Sequence, residues 1–317
     1  MNRRAFVAAG AAGLAAACGR SGKRRISVIP KGTSHLFWVS VQAGALAAGK
    51  QLNVEILWNG PATETDFNRQ IQIIDSMIAQ RVDGIAVAVS ERQALAGPID
   101  RAVASGIPVT VFDSGVDTQS YMSYVGTDNL LAGRMAARKL AEILGGKGKV
   151  AVVLHMPGSL STMDRETGFK DEVEKKFPGL KIVAEQFGMS DRAKSRAAAE
   201  NILAAHPDLD AFFTSTEPSA TGTILALKSR DLQKKVKLVT VDSSENLVDE
   251  MRAGVLSCMI AQDPFGMAFQ TVKTLVDKLD GKQPPKRIDL EPKVITAPDL
   301  DKPEVQQLLK PDIRKYL

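Results

Sequence analysis

The sequence is poor in the residues that most often carry chemistry. It has two cysteines, Cys18 and Cys258, and three histidines, His35, His155 and His206. Two cysteines exclude the multi-bridge framework of a small disulfide scaffold, and neither belongs to a paired metal motif. Cys258 falls in the apolar run SCMIA and reads as a small core residue. The histidines form no HExxH or HxH pair, and His206, ahead of Pro207, reads as a solvated cap at a helix end. There is no G-x-S-x-G elbow and no Walker loop. GGKGK at 145–149 follows a helix pattern and precedes a strand pattern, the wrong order for a dinucleotide fingerprint, so it is a turn. Neither enzymatic activity nor a cofactor is expected.

Charge of one sign is also lacking. The 41 basic and 36 acidic residues give +5, and loss of Arg3 and Arg4 with the segment described next leaves 39 against 36, or +3. Apart from Lys23-Arg24-Arg25 the basic residues are scattered, so no nucleic-acid partner is expected. The longest leading apolar stretch is too short to span a bilayer permanently. It lies in MNRRAFVAAGAAGLAAAC, where two arginines, small apolar residues and a cysteine have the layout of an export signal over 1–18. AAAC resembles a bacterial lipobox, with Leu14 four residues before the cysteine instead of the usual three. Lipidation of Cys18 would anchor the chain to a membrane; ordinary cleavage near Ala17 is the alternative. NRRAF also resembles a twin-arginine signal without its full motif. Residues 19–25 read as a polar tether, and the protein is expected outside the cytoplasm.

What the sequence does contain is a regular alternation of strand and helix patterns, with room for two lobes of ~150 residues each. RISVIP, NVEILW, DGIAVAV and PVTVF read as strands, separated by helices over about 37–51, 66–80 and 94–104. In the second of these, Ile71, Ile74 and Ile78 fall at helical spacing behind Asp66 as N-cap. From Asn129 the pattern repeats, with strands KVAVVL, LKIVAEQ, AFFTS, KLVTV and SCMIA. Helices are expected up to 144 and over 163–176, 191–205, 219–229, 245–253 and 264–280. The strands are unbroken apolar runs, as in parallel sheets buried on both faces by helices. Pro284, Pro285, Pro292, Pro298, Pro303 and Pro311 mark an extended C-terminal tail.

Ligands of open α/β sheets bind beyond the carboxyl ends of the strands. The residues there are Lys31, Trp58, Ser90, Asp113, His155, Thr216, Asp242 and Gln262, a polar and aromatic set. Two buried strands, in PVTVFDSG and KLVTVDSS, end on aspartate. One such residue is often a helix cap or turn former. Its occurrence in both series favours a cleft, where an ionised carboxylate accepts from two ligand hydroxyls at once.

The chain resembles the periplasmic sugar-binding proteins of ABC transporters, of the ribose-binding type related to the effector domain of the lac repressor. The resemblance runs from about Arg25 to Pro298. It is carried by IPKGTSHLFWVSVQAGA (29–45), QIQIIDSMIAQRVDGIAV (70–87), GIPVTVFDSG (106–115), VGTDNLLAG (125–133), DRETGF (164–169), LVTVDSSEN (238–246) and IAQDPFGMA (260–268). It implies an α/β fold of two doubly wound, mainly parallel-sheet lobes joined by a three-segment hinge. The expected N-lobe is 25–127 plus 263–291, and the C-lobe 128–262 plus the tail 292–317. It also implies a monomer that captures a small sugar by hinge closure and presents it to permease subunits. The same fold could instead serve as receptor for a sugar-like quorum or chemotaxis signal.

Asp113, Arg165, Asp242 and Gln262 match sugar-contacting positions of that family, and Phe37 and Trp38 match the aromatic pair that sandwiches the sugar ring. Lys31, in VIPK, is similar to a lysine used by members that bind small polyols. His35, Ser114 and Thr216 stand where ribose binders carry asparagine, arginine and asparagine, which argues for a roomier pocket that prefers a hexose, a deoxy- or methyl-substituted sugar over ribose. Ser190 completes the expected ligand-binding set. Thr127-Asp128-Asn129 matches the crossover into the second lobe. From the residues alone, Phe37 and Trp38 fit a core role, Gln262 could satisfy backbone at a crossover, and His155 fits a strand end or a cleft equally. Arg165, near the start of the 163–176 helix, faces an unfavourable dipole and therefore calls for a ligand or carboxylate partner.

Overall fold

The computed structural model describes residues 22–317. The expected export signal, Cys18 and the start of the tether lie outside the described residues. Extended, largely apolar runs alternate with helices as the patterning requires: β1 (Arg25–Ile29), α1 (Leu36–Gln51), β2 (Glu55–Trp58), α2 (Phe67–Ala79), β3 (Gly84–Val87), α3 (Ala96–Ala104), β4 (Val109–Phe112) and β5 (Ser123–Thr127). The second series is α4 (Asn129–Leu144), β6 (Gly148–Leu154), α5 (Leu160–Lys176), β7 (Leu180–Phe187), α6 (Arg192–Ala205), β8 (Ala211–Thr214), α7 (Glu217–Lys228), β9 (Lys237–Val241), α8 (Glu245–Arg252) and β10 (Cys258–Ala261). Then come α9 (Pro264–Leu279), β11 (Arg287–Leu290), β12 (Lys293–Ile295), a 3-10 turn at Ala297–Asp299 and α10 (Pro303–Leu309).

The strands form two six-stranded sheets, β2-β1-β3-β4-β5-β11 and β7-β6-β8-β9-β10-β12. All pairings are parallel except β10 with β12. β3, β4, β8 and β10 are buried at every residue because helices cover both faces of each sheet. In the first lobe α1 and α9 supply Val41, Ala45, Val272 and Leu275 to one core, and α2 and α3 supply Ile73, Ile74 and Ile99 to the other. The second lobe repeats this with α4 and α5 on one face and α6, α7 and α8 on the other. Cys258 lies in that core, and burial pushes its thiol up to about 12. The chain passes between the sheets three times: from β5 to α4, from β10 to α9 and from β11 to β12.

Four local expectations need correction. Asp66 does cap α2, but the buried face is Gln70, Ile73, Ile74 and Met77, with Ile71 and Ile78 on its flanks. The stripe is rotated because Gln70 goes inside, where its amide serves Pro30 O, Ala88 O and Ser90. Helix α5 starts at Leu160, so Arg165 lies in its second turn, beyond the steepest part of the dipole. The tail is not merely extended: β11 adds to the first sheet, β12 to the second, and Val305 of α10 is buried. His206 does cap α6 but is half-buried rather than fully solvated.

Candidate ligand-binding site

Asp113 and Asp242 follow β4 and β9, and both take up left-handed backbone, with φ of 60° and 79°. Aspartate tolerates this conformation better than most residues with a Cβ. It lets each strand end in an abrupt turn, and both side chains line one cavity between the sheets. The cavity is small, with about 380 Å³ of atom-free space when the open solvent at its mouth is included.

On the first-lobe side, the Lys31 ammonium stands 2.7 Å from Asp113 Oδ2. It lies off the direction of a hydrogen bond to that oxygen. Its protons go instead to Ser159 Oγ (3.1 Å) and Ser161 Oγ (2.9 Å), at the start of α5 in the second lobe. Asp113 is thus charge-balanced, while its acceptor capacity toward the cavity is little used.

On the second-lobe side, Asp242 is firmly held. Gln262 Nε2–H donates to Oδ1 at 2.5 Å, and the Glu217 N–H at the start of α7 donates to Oδ2 at 3.0 Å. Arg165 Nη1 approaches Oδ1 at 3.4 Å, donates to Ser215 O at 3.0 Å, and its Nε–H donates to Asn129 Oδ1 at 2.8 Å. Arg165 can lie so close to α4 because of two glycines. A Cβ on Gly133 would stand 2.0 Å from Arg165 O, and one on Gly168 2.3 Å from Leu130 O. Ser244, not Asp242, caps α8, accepting from Leu247 N–H.

Of the residues expected to bind ligand, Lys31, His35, Phe37, Trp38, Asp113, Arg165, Thr216, Asp242 and Gln262 meet at this cavity. Ser114 and Ser190 do not line it. Ser114 Oγ accepts from Ser161 N–H at 3.1 Å, and Ser190 Oγ lies 3.3 Å from His35 Nε2; both side chains are taken up in contacts across the cleft. Nor do Phe37 and Trp38 form two plates of a slot. Their rings meet edge to face, with centroids 4.9 Å apart and planes at 87°, and make a single aromatic wall.

Five lining residues carried no sequence signal: Glu64, Ser161, Thr162, Glu217 and Pro218. The Glu217 carboxylate is buried and accepts from Arg192 and Thr221. His155 belongs to the cleft: its Nε2 is 3.0 Å from Glu64 Oε2 and its Nδ1 is 3.3 Å from Thr216 Oγ1. Burial works against the charge of Glu64, but the hydrogen bond to His155 and the charges of His155, Lys31 and His35 outweigh it and hold the carboxyl well below the usual range. Burial pushes Glu166 the other way, against the His155 N–H and Ser215 hydroxyl that donate to it. Among the described residues, no group of three or more histidine, cysteine, aspartate and glutamate side chains could hold a metal ion. The cavity offers acceptors, cationic donors and an apolar ring face within reach of one small molecule.

A family model described as a periplasmic binding protein domain matches residues 26–283. The ribose import binding protein RbsB of Bacillus subtilis is 27% identical over 260 residues, 82% of this chain and 83% of the relative. A carbohydrate transporter solute binding protein from Agrobacterium radiobacter, solved with D-arabinose, superposes with a TM-score of 0.89 at 30% identity, covering 91% of this chain and 99% of that one. An ABC transporter solute binding protein from Agrobacterium vitis, solved with D-fucose, gives a TM-score of 0.87 at 31% identity, covering 90% and 99%. With its two mainly parallel sheets, linked three times, and a cavity between their carboxyl edges, the chain belongs to the periplasmic binding protein domain family.

Proposed function

We propose that the protein is an extracytoplasmic solute-binding component of an ABC importer, capturing a monosaccharide or similarly small polyol by hinge closure. The observation that carries this is the pairing of Asp113 and Asp242 across one small cavity, each with a cation beside it. Carboxylates accept from vicinal hydroxyls, Lys31, Arg165 and Gln262 donate to ring and hydroxyl oxygens, and the Phe37–Trp38 wall covers C–H surface. Closing the lobes dries the cleft and strengthens each of these bonds. Relatives solved with D-arabinose and D-fucose support a sugar of that size.

The lobes are taken as 25–127 with 263–291, and 128–262 with 292–317. Ser114 in place of a long arginine leaves the Asp113 side with one compact cation, Lys31, and no planar fork. This favours a hexose or deoxy sugar over ribose. Anchorage through lipidated Cys18, and action as a monomer, complete the reading. Thermal-shift screening of a monosaccharide panel is the test, because a ligand that binds only the folded state raises the melting temperature. A panel that leaves the melting temperature unmoved would overturn the reading.

A further inference from the structure

We infer that Glu64 is a positioning residue that ties closure of the two lobes to the aromatic wall of the cavity; this rests on the capture reading of the same cleft. Glu64 lies in the loop between β2 and α2 and is 7% exposed. Its two oxygens serve different lobes. Oε1 accepts from the Trp38 indole N–H at 2.8 Å, within the first lobe. Oε2 lies 3.0 Å from Nε2 of His155, at the end of β6 in the second.

Each partner is itself fixed. The His155 backbone N–H donates to Glu166 Oε1 at 2.9 Å, and its other ring nitrogen lies 3.3 Å from Thr216 Oγ1, which is 3.1 Å from Ser219 Oγ. Trp38 meets Phe37, its neighbour in the cavity wall, edge to face, and packs on Phe112 with centroids 6.5 Å apart. The loop is fitted to its place: a Cβ on Gly32, next to Lys31, would stand 3.0 Å from Glu64 Cγ and 3.1 Å from Glu64 N.

At 3.0 Å nothing can intervene between Glu64 and His155, so their bond is made by protein atoms alone in the closed form. A buried carboxylate is costly unless its oxygens are paired. Parting the lobes takes one partner from Glu64 and frees the carboxylate to shift. The Trp38 indole then loses a fixed acceptor, and Phe37 loses the fixed ring that orients it. Glu64 therefore acts on the ligand through Trp38 and through His155.

Hydrogen–deuterium exchange on the full chain, with and without saturating D-arabinose or D-fucose, tests the coupling in the closed form. Glu64→Gln should speed exchange in residues 153–163 of the opposite lobe, and His155→Ala should speed it in residues 60–67. Changes confined to the lobe that carries the substitution would overturn the inference. Dissociation kinetics with D-arabinose and D-fucose supply the second measurement. Loss of the cross-cleft bond should raise the off-rate of both by the same factor, roughly 10-fold or more, with the on-rate little changed. Unequal factors would mean that Glu64 contacts the sugar directly and would overturn its positioning role. If neither sugar binds the parent protein, the capture reading with these sugars falls, and the exchange comparison is made with whichever monosaccharide of the panel raises the melting temperature.

Discussion

The Thr127 hydroxyl donates to Gln262 Oε1 at 2.6 Å, and the same Gln262 amide donates to Asp242 Oδ1 at 2.5 Å. Thr127 ends β5 and Gln262 follows β10, so two of the three chain crossings are joined by side chains that lead into the cavity. The hinge and the site share one hydrogen-bonded row. Thr127→Val should therefore weaken sugar binding two- to tenfold, about 0.5–1.5 kcal/mol, by leaving the Gln262 amide unoriented. Calorimetric titration checks this, and unchanged affinity would separate the hinge from the site.

The two strand-end aspartates should not respond alike. Asp113→Asn removes a charged acceptor facing the cavity, while buried Lys31 keeps Ser159, Ser161 and the neighbouring Glu64 charge. Binding should weaken by roughly 1.5–3 kcal/mol with a small change in melting temperature. Asp242→Ala strands Arg165, Gln262 and the Glu217 N–H together. It should lower stability by about 3–5 kcal/mol as well as binding. Denaturation curves of both variants, measured beside titrations, distinguish the two outcomes.

Acid should destabilise the closed form through Glu64. Its folded-state pKa lies below the ordinary 4.5, despite burial, because His155, Lys31 and His35 face it. The unfolded chain takes up this proton first as pH falls, so the contribution is complete above about 4.5 and is lost progressively below it. Melting temperatures of the parent should fall faster than those of Glu64→Gln between neutral pH and pH values under that threshold. Parallel curves would show that the charge of Glu64 contributes nothing.

Selectivity should follow from Ser114, whose hydroxyl is occupied by Ser161 N–H and whose side chain does not reach the cavity. A hexose or deoxyhexose such as D-fucose should bind more tightly than D-ribose. Titrations against both sugars decide the matter, and tighter ribose binding would mean that Lys31 fully replaces the missing arginine.

The anchor is tested by fractionation. Protein expressed with its full leader should partition with membranes, and Cys18→Ala should release it or block its processing. Soluble parent protein with an unmodified start downstream of Cys18 would remove the lipid anchor from the proposal.

Parallel strands buried on both faces write themselves as unbroken apolar runs, and this made the two α/β series and their carboxyl ends legible. Asp113, Asp242 and Gln262 were found because chain position alone places them there. Glu64 was not, because a loop imposes no period and its partner His155 lies 91 residues away. Gln70 misled the reading of α2 for a related reason: its burial depends on carbonyl groups of other elements, which local spacing does not record. β11 and β12 are short and gain their definition from neighbours far along the chain, and β5 (SYVGT) has no unbroken apolar run. The perpendicular set of Phe37 on Trp38 is likewise a product of packing around α1.

The third crossing has a mechanical meaning. β11 lies beside β5 in one sheet and β12 beside β10 in the other, so the link between them, residues 291 and 292, runs alongside the other two connections. Three parallel tethers permit bending about one line but resist torsion about the long axis. Groups on facing rims, such as Lys31 with Ser161 and Glu64 with His155, are then returned to the same partners on every swing. Cutting the chain at 291 would leave both sheets complete and the molecule able to wring. Its rims would then meet out of alignment although no side chain had been altered.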